Sequence, residues 1–311
     1  MATGRHARFV TLGGLALLAG CSSPTSTPAY VRPKLSPLQI TVTTDPPPDS
    51  DGNVVRDAIL HIGFDDYPDP DTISFGPILL RSGTASFDAD MRVDLVDKQV
   101  IVHPRSLLAP DTQYEVVVGA DVRSLSGRTV ESTMAAPIPV GEMLNPSPTP
   151  AAPTPTWDDV KQYIGDGCAQ YCHTTSRCPG SMPPTRNPTI GLNLSKPTDP
   201  TVGLINVPSQ LTAGTDHTLM RVQPGDASRS MLMRKLLGGD PNTGIARYPA
   251  PGMCMYPPEP EPANLGVPGR RMPLYESPCG ECDLNLDPTA WYYGDDTLRL
   301  IQAWIDGGAQ M

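Results

Sequence analysis

Residues Asn145 to Thr156 read Asn-Pro-Ser-Pro-Thr-Pro-Ala-Ala-Pro-Thr-Pro-Thr, and this run constrains the fold more than any other. Each proline fixes φ and removes a backbone donor, so neither a helix nor a central strand can pass through it. The run predicts an extended, semi-rigid linker, residues 142–156, spanning roughly 35 Å at about 3.1 Å per residue. It divides the 311 residues in two, in keeping with the two domains expected of that length. Elsewhere the 38 Pro and 28 Gly, over a fifth of the chain, predict short elements joined by long irregular loops. Aromatic residues make up 5%, so neither core should be large.

The first residues have the anatomy of an export signal. Arg5, His6 and Arg8 are basic, and Phe9 to Gly20 form a nearly uncharged apolar run. That run is shorter than the roughly 20 residues that cross a bilayer. Leu18-Ala19-Gly20-Cys21 resembles a bacterial lipobox. The resemblance implies a signal peptide over residues 1–20, lipidation of Cys21, and a lipid-anchored spacer over residues 21–37; two or three acyl chains hold a protein stably at a membrane. The alternative is an ordinary secretory signal with an incidental cysteine. Ser22 stands where inner-membrane lipoproteins of some Gram-negative bacteria carry Asp, which leans towards the outer membrane. Cleavage would remove two arginines and no acid, moving the net charge from −10 to −12. Nucleic acid is therefore a poor partner. The acidic surface suits a basic, exported redox protein or is a solvated face.

Between residues 38 and 141 the apolar residues come in short runs separated by turn signals. Leu38-Gln39-Ile40-Thr41-Val42, Ala58-Ile59-Leu60-His61-Ile62-Gly63-Phe64 and Tyr114-Glu115-Val116-Val117-Val118 predict strands of an antiparallel sandwich. Thr44-Asp45-Pro46-Pro47, Pro70-Asp71-Thr72-Ile73, Leu108-Ala109-Pro110-Asp111-Thr112-Gln113-Tyr114 and Gly127 make this part resemble the bacterial Ig-like domain of the SbsA surface-layer type. Such modules serve as spacers or interaction surfaces. His61, in a strand pattern, and His103, in a turn before Pro104, read as structural rather than as ligands.

The chemistry of interest lies in residues 157–311. Trp157, Val160, Tyr163 and Ile164 fall on one helical face behind Asp158 and Asp159, and the helix leads into Cys168-Ala169-Gln170-Tyr171-Cys172-His173. Covalent haem c is held through C-x-x-C-H, where two thiols add to the vinyl groups and the histidine binds iron. Here the spacing is C-x-x-x-C-H, so one extra residue must bulge from the loop. A local Cys168–Cys172 disulfide beside a bystander histidine is the alternative.

Three further segments make this part resemble the cytochrome-c-like domains, class I-like, of exported and often lipid-anchored bacterial proteins, including the planctomycete type. They are Gly191-Leu192-Asn193-Leu194-Ser195 with Val207-Pro208-Ser209, the turn and helix from Val222-Gln223-Pro224-Gly225-Asp226 to Leu236, and Gly269-Arg270-Arg271-Met272-Pro273-Leu274. The resemblance implies one covalent haem c on Cys168 and Cys172, with His173 and Met272 as axial ligands and Leu192, Leu194 and Leu236 in its apolar wall. Met253, Met255 or His217 are alternatives to Met272. A His/Met pair leaves no open iron position, which predicts a single-electron carrier; an enzyme with an open sixth position is the alternative if Met272 does not bind. The last apolar helix, from Asp295 to Ala309, carries Leu298, Ile301, Trp304 and Ile305 on one face, and the resemblance sets Trp304 near Val160 and Ile164.

Cys178, Cys254, Cys279 and Cys282 remain, and in an oxidising compartment they form two disulfides of undetermined pairing. Cys279-Gly280-Glu281-Cys282 also has the spacing of half a zinc site or a redox pair. The expected fold is thus an all-β Ig-like sandwich followed by a mainly α, loop-rich cytochrome-c-like domain. The rival reading is a haem-free, disulfide-stapled surface lipoprotein that serves as a binding or structural module.

Overall fold

A computed structural model describes residues 36–74, 76–146, 152–164, 192–194, 196–209, 219–238 and 293–311. Its first part is a sandwich of eight strands: β1 Ile40–Asp45, β2 Ile59–Phe64, β3 Ile78–Ser82, β4 Ala85–Phe87, β5 Ala89–Asp94, β6 Gln99–Pro104, β7 Thr112–Val118 and β8 Met134–Val140. They form two four-stranded sheets, ordered β1-β2-β6-β5 and β4-β3-β7-β8, with every ladder antiparallel.

Alternation along β2 shows why the strands face as they do. Leu60, Ile62 and Phe64 are buried between the sheets, whereas Ile59, His61 and Gly63 are half-buried on the outer face. A period of two is what a pleated strand with one covered face requires. Register follows: Leu60 lies opposite Val102 of β6, and Leu80 of β3 opposite Val116 of β7. The corner before β7 is built as its residues predict. Leu108 is fully buried, Asp111 adopts a positive φ of 51°, and Tyr114 accepts a hydrogen bond at 3.0 Å from the Ala109 amide. That bond ties the phenol back to the chain entering its own strand, as in a tyrosine corner.

The second part contains three α-helices, one 3₁₀ turn and, over residues 162–164, a π turn that continues the first helix, among the described residues. The helices and the 3₁₀ turn are α1 Trp157–Lys161, the turn Ala227–Arg229, α2 Met231–Leu237 and α3 Asp295–Asp306. At α1, Asp159 turns back to accept hydrogen bonds from the Thr156 amide (2.7 Å) and hydroxyl (2.9 Å), which closes the first turn. These bonds hold the Asp159 carboxyl below its ordinary range. Helix α3 ends in a Schellman arrangement: Gly308, at φ +95°, donates to the Ile305 carbonyl, and Ala309 donates to that of Trp304. The glycine stop read from the sequence is therefore Gly308, whose left-handed conformation would strain a side chain.

The two parts that the linker joins are packed together. Residues 36–311 form one compact unit. Buried residues from Leu60 and Val102 in the sandwich to Ile164, Leu236 and Trp304 in the helical part belong to one continuous core. No helix among the described residues is long and apolar enough to cross a membrane.

Candidate functional site

Cys21, Cys168, Cys172, His173, Cys178, Cys254, Met272, Cys279 and Cys282 lie outside the described residues, as do Met253, Met255 and His217. The structure does place the other residues read for the helical part. Leu194 and Leu236 are buried in the core, and Leu192 packs against it half-buried. All three proposed wall residues thus share a core with Val160, Ile164 and Trp304.

The first and last helices of the helical part meet. Trp157 and Trp304 lie 5.5 Å apart, centroid to centroid, with their planes tilted by 47°. The Gln310 carbonyl accepts both the Trp157 amide (2.7 Å) and the Trp304 indole N–H (2.9 Å). Further along, Tyr293 packs edge-on against Tyr163 and donates its hydroxyl proton to the Tyr163 carbonyl. Ile164 and Leu192 therefore bound the segment that carries Cys168, Cys172 and His173, and Gly238 and Tyr293 bound the segment that carries Met272.

The turn between Val222 and Met231 locks this frame. Gly225, at φ +85°, donates to the Ile305 carbonyl at 2.7 Å, and the Ala227 amide donates to Asp306 Oδ1 at 2.8 Å. Asp226 caps the turn by accepting from Ser228 Oγ (2.6 Å) and the Arg229 amide (3.2 Å). Helix α2 then buries two cations. Arg234 is only 3% exposed, and its Nε reaches the Ser228 carbonyl at 3.4 Å. Burial pushes its guanidinium down from the ordinary value, while Asp69, Asp71 and Asp226 oppose that shift and Arg229 adds to it. Lys235 is buried beside it.

Asp306 is a largely buried acid in this frame. Burial raises its carboxyl above the ordinary range, and the Ala227 amide and Arg92 counter that only in part. A carboxyl raised by folding stabilises the fold most when protonated, and that contribution is lost as pH rises through the raised value. Asp306→Asn removes this titration. The stability difference between the native chain and the variant, from denaturant melts at stepped pH, is expected to move in favour of the native chain as pH falls from neutrality into the carboxylate range. A difference that stays flat with pH would contradict the burial argument.

The two histidines of the sandwich both lie in strands. His61 lies in β2 with Nδ1 at 3.1 Å from Gln99 Oε1. His103 lies within β6 rather than in a turn, because its strand continues through Pro104 opposite Ala89. It borders a shallow depression with Asp57, Arg105 and Leu107, where Arg105 is already paired with Asp90 at 2.6 Å. Among the described residues, no three His, Cys, Asp or Glu are grouped to hold a metal ion.

Sequence reasoning missed Arg92, Asp97, Arg229, Arg299, Gln302 and Asp306. Arg92 meets Asp306 at 2.6 Å, Arg299 meets Asp97 at 2.7 Å, and the Val96 amide donates to Gln302 Oε1 at 3.3 Å. Each contact joins residues some 200 positions apart, for which no local pattern exists.

Residues 36–138 match the family model described as bacterial Ig-like domain. That is the sandwich. The match takes in about a third of the chain. Among solved structures, the chain is similar to the N-terminal part of the bacterial S-layer protein SbsC, at 12% identity and TM-score 0.28, over 38% of this chain and 25% of that one. It is also similar to the S-layer protein rSbsC(31-844), at 11% identity and TM-score 0.28, over 39% and 16%. A third, surface layer protein SbsC domains 1–6, gives 14% identity and TM-score 0.25 over 36% and 14%. The chain spans a quarter or less of the length of these structures. No curated protein matches it. The Ig-like domain begins at residue 36, two residues before the first predicted strand.

Proposed function

We propose that the chain is an exported, cell-surface lipoprotein, anchored through Cys21, whose helical part carries one covalent haem c and passes single electrons to or from an exported partner. One observation carries the reading. The described residues on either side of the segment with Cys168, Cys172 and His173, Ile164 and Leu192, and those on either side of the segment with Met272, Leu237 and Tyr293, all lie in or against the core that holds Leu194, Leu236 and Trp304. The donor set suits the group: two thiols for vinyl addition, an adjacent imidazole, a thioether, and leucines against an apolar macrocycle. When bound, such a haem supplies reversible one-electron exchange at a potential raised by the methionine. Cys168, Cys172, His173 and Met272 would hold the group, and Leu192, Leu194 and Leu236 would keep water from it. The Ig-like domain supports the surface location.

The spacing C-x-x-x-C-H favours a second reading, in which Cys168 and Cys172 are joined and no haem is attached. One experiment separates the two. The whole chain is made in a host with cytochrome c maturation and run on a denaturing gel stained for haem. A stained band lost in Cys168→Ala with Cys172→Ala, and a sulfur-to-iron absorption band lost in Met272→Ala, are the expected results. A colourless chain without free thiols would overturn the electron carrier and establish a stapled surface module.

A further inference from the structure

We propose that the Ig-like domain is not a detached spacer but a docking partner in cis, clamped onto α3 and the Asp226–Arg229 turn along a charged seam that salt loosens. The inference stands apart from haem, since none of its residues is a proposed ligand.

Three ion pairs cross from sandwich to helical part. Arg92 of β5 meets Asp306 at 2.6 Å, Asp97 of the β5–β6 turn meets Arg299 at 2.7 Å, and Asp71 after β2 meets Arg229 at 3.3 Å. Arg229 also donates to the Pro70 carbonyl at 3.3 Å. Between the first two pairs, the buried Gln302 side chain accepts the Val96 amide. Below the third, buried Arg234 lies in the field of Asp69 and Asp71 from the sandwich and of Asp226 from its own side. The signs alternate across the seam: the sandwich offers one arginine and two aspartates, and the helical part offers the reverse. A docking slipped by one position would set like charges together, so the pairs specify a single register.

The strength of the seam is divided between two kinds of contact. Arg92, Arg229 and Arg299 are each nearly half exposed, and exposed pairs contribute little singly. Their attraction is screened as the Debye length falls from about 8 Å at physiological salt to about 3 Å at 1 M. The continuous apolar core beneath them is not weakened in this way. High salt should therefore open the charged rim while the sandwich stays folded.

The test uses the full chain and hydrogen exchange at the Val96 amide, whose acceptor lies across the seam. Raising salt to about 1 M should speed that exchange about threefold or more, the scale of exposed pairs acting together. Asp97→Arg, which faces Arg299, should do the same at low salt, and adding Arg299→Asp should restore protection. Amides of β7 and β8 serve as the folding control. Should Asp97→Arg disturb them, Arg299→Asp alone, on the exposed face of α3, takes its place and should speed Val96 exchange equally. Val96 exchange that ignores both salt and charge reversal, or a double variant no better protected than the singles, would overturn the clamp.

Discussion

Trp304→Ala is expected to lower the stability of the helical part by about 3–5 kcal/mol, the range for removing a large aromatic side chain from a packed core. Trp304 is fully buried, stacks obliquely on Trp157 and donates its indole proton to the Gln310 carbonyl. Alanine removes the volume and the ring contact, and with them the donor that positions the C-terminal strand of backbone against α1. Trp304→Phe separates these effects. It keeps most of the bulk and loses the hydrogen bond, so its cost should be nearer 1 kcal/mol, about the net contribution of one such bond. Denaturant melts followed by helical circular dichroism measure both. A loss below about 1 kcal/mol for Trp304→Ala would mean that α1 and α3 are not held by this contact.

Leu60→Ala should have a comparable effect on the Ig-like domain, about 2–5 kcal/mol. Leu60 sits in β2, an inner strand with neighbours on both sides: Thr44 of β1 and Val102 of β6. Its side chain is fully buried, and both sheets surround the cavity that alanine would leave, so there is little room to collapse. His61→Ala, one residue along on the outer face, should cost less than about 1 kcal/mol. The pair of melts tests the alternation directly. Equal losses at the two positions would contradict the register of β2. If the seam couples the two parts, Leu60→Ala should also lower the midpoint read at α3.

How far the sequence carries depends on whether a signal is local. Leu60, Ile62 and Phe64 alternate with polar or small neighbours, so β2 is visible without any other strand. Leu108 to Tyr114 make their hydrogen bond within five residues, which left the corner legible too. Helix α3 shows its acidic start, apolar face and terminal glycines in one stretch. By contrast, β4 is a three-residue strand with little burial, and its only neighbour is β3, so nothing in Ala85–Phe87 announces it. The pairs Arg92–Asp306 and Arg299–Asp97 depend on where the chain returns after 200 residues. In the candidate site, Leu192, Leu194 and Leu236 could be named only through a resemblance. Their burial in one core with Trp304 follows from packing that no spacing encodes.

The Gln310 carbonyl has a consequence for handling the protein. A carbonyl oxygen has two lone pairs, and here one acceptor takes the Trp157 amide and the Trp304 indole. Cleavage of the chain before Gln310 would remove a single acceptor and orphan two donors on different helices. Preparations with and without Gln310 should therefore differ in how firmly α1 and α3 are tied, and an affinity tag is better placed on a loop of the sandwich than in place of this segment.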